Sequence, residues 1–178
     1  MKKLFGLMIL IVLISGCLFR DPYKREFAGL TLNFRANLNK ADKIPVYPNE
    51  NALRDVLLND LVEKIGIAYI PNNSENSFYL AASYELAYKL TIINKYYFQY
   101  AKPIVSIPLN SSADAFDISN EKMPIIVLLG PSKTNITSVT VKDYVIIAGG
   151  KDFSEVNRTY TDLDLAVDKI LLVLMKES

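Results

Sequence analysis

The chain has no histidine and one cysteine in 178 residues. Without an imidazole there is no general base poised near neutral pH, and no Cys/His zinc site can form. With a single thiol, disulfides within the chain are excluded, and the position of that thiol assigns it to a role other than catalysis. Charge of one sign is lacking as well. Twenty basic residues stand against 19 acidic ones, a net charge of +1, with no long run of either sign. A nucleic-acid surface needs a basic excess, so nucleic acid is not expected as a partner. The phosphate-loop pattern G-x-x-x-x-G-K-[ST] and the serine-hydrolase pattern G-x-S-x-G are both absent. No internal repeat or low-complexity tract appears. No cofactor motif is visible, and catalysis could draw only on Asp, Glu, Lys, Ser or Tyr.

What is present begins at the N-terminus. Lys2 and Lys3 form a basic start, Leu4 to Ile14 is apolar except for Gly6, and Ser15 and Gly16 are small. These are the three parts of a secretory signal. The run falls short of the roughly 20 apolar residues a spanning helix needs, and Arg20 and Asp21 end it. Ile14-Ser15-Gly16-Cys17 resembles the lipobox of prokaryotic lipoproteins. The resemblance implies cleavage before Cys17 and lipid on its thiol, which anchors the protein rather than threading it through the membrane. The other reading is an uncleaved membrane anchor. Both place the body on the outer side, because the basic end stays inside. Residues 1–16 are thus expected to be a signal peptide, 17–28 a lipid-anchored tether, and 29–178 a single domain.

Hydrophobic residues make up 51% of the chain and charged residues 22%, enough for a packed core without staples. Leu30, Leu32, Phe34, Ala36 and Leu38 alternate with polar residues, which predicts a half-buried strand. Ile44 to Tyr47 predicts a short second strand, kept near an edge by Pro45. Asn49 is a plausible N-cap for a helix through about Asn59. Ile65 to Ile70, Ile104 to Ile107 and Ile125 to Leu129 read as buried strands. Ser138 to Val141 and Tyr144 to Ala148 read as a hairpin. A long helix is predicted over about 78–98, with Ser77 as its cap. Tyr79, Ala82, Leu86, Leu90, Ile93 and Tyr97 form its core stripe, and Glu85 and Lys89 form a solvated pair. A last helix spans about 162–176, started by a capping box of Thr161 and Asp164. The order predicts an α/β domain: a three-layer sandwich with a mixed, mostly parallel sheet and an antiparallel edge hairpin.

Ligands of such sheets sit at the carboxyl ends of the strands. Two loops qualify. One contains Asn73, Ser74 and Asn76 and leads into the long helix, where backbone N–H groups could hold an anion. The other contains Gly130, Ser132 and Lys133, although Pro131 removes a donor that a phosphate cradle would use. Ordinary turn chemistry accounts for both loops equally. Tyr84 and Tyr88 lie on the long helix opposite its core stripe and form a candidate interface, since tyrosine is enriched at interfaces. Asp114, Asp117 and Glu121 lack the spacing of a calcium loop, so no metal site is expected. Asn72, Asn110, Asn135 and Asn157 stand in N-x-[ST] sequences in predicted loops, as glycan acceptors should; an asparagine-rich loop set explains them as well.

The stretches YPNENALRDVLL, AYIPNNSENSFYLAASYELAYKL, IIVLLGPSKTNITSVTVKDYVIIAGG and DLDLAVDKILLVLM are similar to small uncharacterised archaeal surface lipoproteins. The likeness covers most of the mature chain but transfers no activity and no residue role beyond Cys17. Together these features predict a lipid-anchored, outward-facing protein, extracellular or periplasmic, that acts as a non-catalytic binding or interaction module, presenting the Tyr84/Tyr88 surface or the strand-end loops to an envelope protein or other envelope component, or to a small polar ligand. The alternatives are a surface hydrolase or transferase using carboxylates or the Ser132/Lys133 pair, and a purely structural envelope lipoprotein.

Overall fold

The computed structural model describes residues 21–153 and 160–176; Cys17 and Asn157 lie outside them. In chain order the elements are β1 (Lys24–Phe27), β2 (Leu30–Asn33), α1 (Leu38–Ala41), β3 (Val46–Tyr47), α2 (Glu50–Leu57), β4 (Ile65–Tyr69), α3 (Asn76–Phe98), β5 (Ile104–Pro108), α4 (Asp114–Ile118), β6 (Ile125–Leu129), β7 (Ser138–Lys142), β8 (Val145–Gly149) and α5 (Asp162–Leu174). A six-stranded sheet runs β3-β7-β8-β6-β4-β5, and β1 and β2 form a separate two-stranded sheet. Only the β7–β8 pairing in the large sheet is antiparallel. The fold is α/β with a mixed, mostly parallel sheet. The antiparallel hairpin is not at the edge: β8 pairs with β6 inside the sheet, and β3 covers β7.

The central strands carry apolar residues at every position because both faces are covered. Ile67, Ile126, Leu128, Ile146 and Ala148 point to one face, where Leu86, Leu90 and Ile93 of α3 and Val167, Ile170 and Leu171 of α5 complete the main core. Ala68, Ile125, Val127, Leu129 and Val145 point to the other, closed by Leu109 and by Ala115 of the short α4. Asn49 caps α2 by accepting from the Ala52 N–H at 2.9 Å. The capping box of α5 is present, with the Asp164 carboxylate accepting from the Thr161 N–H at 2.7 Å and the Thr161 hydroxyl accepting from the Asp164 N–H at 3.3 Å.

The N-terminal segment differs from its expectation. Alternation past Asn33 does not continue the strand. Residues 24–28 hold β1 and the start of a tight turn, in which Ala28 and Gly29 take φ of 52° and 76°. Such a two-residue turn matches the twist of a hairpin. Phe27 is buried against Tyr96 and Tyr97 of α3. The folded part therefore begins well before residue 29.

Candidate functional site

The two strand-end loops meet. Glu75 sits at the N-cap of α3, just before its first residue, and turns its carboxylate toward the loop after β6. One oxygen accepts from the Ser132 N–H at 3.0 Å, and the other from the Ser132 hydroxyl at 2.8 Å and the Tyr79 hydroxyl at 2.6 Å. Tyr79 in turn accepts from the Gly130 N–H at 2.9 Å, and the Asn72 amide donates to the Ser132 hydroxyl at 3.3 Å. The Ser132 N–H thus faces an anion that the chain itself supplies, while the Asn72, Ser74, Glu75 and Asn76 N–H groups, expected to receive one, bond within their own loop. Gly130 is required by space: a Cβ there would stand 2.7 Å from Phe153 and 2.8 Å from both Glu75 and Tyr79 oxygens.

Burial pushes the Glu75 carboxyl up, but the donors from Tyr79 and Ser132, with the Lys133 charge, hold it below its ordinary value. The same burial and the neighbouring carboxylate raise Tyr79 beyond the usual phenol range. Glu75 is therefore a weak base and Tyr79 a weak acid, which suits a structural knot better than proton transfer. Of the loop residues singled out from sequence, Gly130 and Ser132 enter this knot. Asn76 binds the Asn72 N–H at 2.9 Å, Ser74 binds the Asn72 side chain, and Asn73 and Lys133 are exposed. Ser77 does not cap α3; Glu75 occupies that place, without a side-chain capping bond.

A second cluster went unread in the sequence. Glu85 and Lys89 are turned inward, not solvated. Lys89 is 1% exposed, pairs with Glu85 and lies 4.3 Å from the centre of the Phe34 ring. Arg35 Nε donates to Asp164 at 3.0 Å, the Arg35 N–H to Glu85 at 3.3 Å and the Ala36 N–H to Asp168 at 2.9 Å. The cluster pins residues 35–36 to α3 and α5. Asp168 is fully buried and its second oxygen lacks a hydrogen-bond partner. Burial drives its carboxyl well above the ordinary value, reinforced by Glu85 and Asp164 and opposed by the Ala36 bond and Lys89. An i, i+4 Glu–Lys pair reads as surface chemistry; its burial depends on a segment fifty residues away and could not be read locally.

With both charges inside, the outer face of α3 is uncharged. Ser77, Leu80, Tyr84, Tyr88 and Thr91 are its exposed positions up to Lys95, with Leu80, Tyr84 and Tyr88 at 59%, 75% and 56% exposure. At 100° per residue these five fall within one narrow arc.

Other motifs do not assemble. Ser119 and Lys122 match the spacing of the S-x-x-K serine-hydrolase pattern, but the Ser119 hydroxyl points to the Phe116 carbonyl and Lys122 pairs with Glu63 at 2.9 Å. Asp114 binds Asn110 and Ser111. Among the described residues no group of three or more acidic, Cys or His side chains is placed to hold a metal ion, and no helix is long and apolar enough to cross a membrane. Asn110 and Asn135 are exposed, and Asn72 is partly covered. A scan of family models, a search of curated proteins and a search of solved structures found no match to this chain.

Proposed function

We propose that this protein is a lipid-anchored, outward-facing binding module of the cell envelope, tethered at Cys17, that engages a protein partner through the outer face of α3. The observation that carries the reading is the uncharged Leu80–Tyr84–Tyr88 surface. In a chain with 22% charged residues, no fully exposed position over four helical turns is charged: of the two charged side chains of that stretch Lys89 is buried and Glu85, paired with it, is mostly covered. Contiguous apolar surface rimmed by polar residues marks interaction sites, and tyrosine supplies contact area at low entropic cost. The strand-end loops support the same reading indirectly, because the Ser132 N–H and hydroxyl are both spent on the Glu75 carboxylate.

The test is photo-crosslinking in the native membrane with benzoylphenylalanine in place of Tyr84 or Tyr88, and in place of exposed Asp117 as a control. A discrete adduct at 84 and 88 but not at 117 supports the reading. No adduct at either tyrosine position contradicts it.

A further inference from the structure

The tether is short and the layer next to it is basic. Four residue steps separate Cys17 from Asp21, a span of at most about 14 Å. A domain of roughly 150 residues has a radius of gyration of about 15 Å. A lipid on Cys17 would therefore hold the start of the fold within about one domain radius of the bilayer. The layer that begins there comprises β1, β2 and α1, joined by the Leu38 N–H donating to the Pro22 carbonyl at 2.7 Å.

Charge is unevenly divided between this layer and the rest. Residues 21–43 hold five basic and three acidic residues, whereas 44–178 hold twelve basic and sixteen acidic. Two of the three acids are matched within the fold: Asp21 lies 3.3 Å from Lys24, and Asp42 lies 3.3 Å from Lys169. The third, Glu26, accepts from Thr31. Arg25, Lys40 and Lys43 are exposed and form no ion pair among the described residues. At the hairpin tip Leu30 is 51% exposed, and Tyr96, whose ring lies 4.9 Å from that of Phe27, the cross-strand partner of Leu30, is 49% exposed. Basic side chains near anionic headgroups, with an aliphatic and a tyrosine at their edge, are the chemistry of a membrane-seated face.

We propose that the hairpin and α1 seat on the anionic headgroup surface of the bilayer carrying the anchor, with Arg25, Lys40 and Lys43 facing the headgroups and Leu30 at the interface. This rests on the lipid-anchor reading.

The full lipidated chain, reconstituted into vesicles of phosphatidylcholine with about one third phosphatidylglycerol, tests it. With Cys17 blocked by lipid, a fluorophore on Leu30→Cys or, as a distant control, on exposed Asn110→Cys labels one site. A nitroxide on the headgroup should quench the Leu30 label about threefold more than the Asn110 label, each basic residue being worth about fivefold in partitioning. The difference should collapse in pure phosphatidylcholine, in high salt, and in the triple Arg25→Gln, Lys40→Gln, Lys43→Gln variant. Equal quenching at both sites in anionic vesicles overturns the seating, as does a difference indifferent to lipid charge. A polyanionic protein as the true occupant would appear as the first of these. Intact mass separates the two claims: no lipid on Cys17 removes the anchor reading, whereas lipid present with equal quenching removes only the seating.

Discussion

Replacing Glu75 by alanine removes one acceptor from three hydrogen bonds at once. A bond to a charged acceptor contributes about 1.5–3 kcal/mol, but three that share a carboxylate are not additive. Tyr79 keeps its bond from Gly130, and the Ser132 hydroxyl lies at a rim where water can replace its partner. The expected loss is about 3 kcal/mol, out of the 5–15 kcal/mol typical of a domain. At about 2–4 °C per kcal/mol, Tm should fall by about 6–12 °C in a thermal melt. Glu75→Gln keeps the shape and one acceptor and should lose about 1–2 kcal/mol. A double-mutant cycle with Ser132→Ala should give a coupling of about 1–2 kcal/mol, and one with distant Lys122→Ala a coupling near zero. Because the folded Glu75 value is lowered, its stabilisation is present above the unfolded carboxyl value near 4.3 and is lost as pH falls through the folded value. Wild type and Glu75→Gln should therefore converge in acid. A Tm for Glu75→Ala within about 2 °C of wild type would refute the knot as a stabilising feature.

Asp168 has the opposite sign. Its folded value is raised, so its contribution is complete below the unfolded value near 3.9 and is lost as pH rises through the folded value. Asp168→Asn, which keeps an acceptor for the Ala36 N–H, should match or exceed wild type at pH 7–8 and lose the excess near pH 4; Asp168→Ala, which orphans that donor, should cost about 1–3 kcal/mol in urea unfolding. Gly150→Ala would put a Cβ 2.4 Å from the Leu163 backbone nitrogen, whereas Gly130→Ala meets mainly side-chain atoms. Both should destabilise by about 1–3 kcal/mol or more in melts, Gly150→Ala the more. Tyr84→Ser, and separately Tyr88→Ser, should leave stability within about 0.5 kcal/mol while weakening the adduct formed from benzoylphenylalanine at the other of the two positions, which separates surface from core.

Most of the sheet was legible because its signals are local. The runs at 65–70 and 125–129, the Asn49 cap and the Thr161/Asp164 box each need only neighbours in sequence, and each stands where it was expected. Failures came where long-range contact decided. Alternation from 30 to 38 cannot distinguish one long strand from a hairpin arm followed by a clipped segment, because Arg35 and Ala36 are held by Glu85, Asp164 and Asp168. The same cluster turns Glu85 and Lys89 inward, against their helical spacing. At the strand ends, sequence located both loops but not Glu75, whose part depends on the two loops meeting across sixty residues.

The most direct test of the central claim is intact mass of the protein purified from its native membrane, beside a Cys17→Ser variant. The account predicts a chain beginning at Cys17 with added lipid mass, lost in the variant. An uncut chain of unmodified mass would contradict the lipid anchor and everything argued from its short tether.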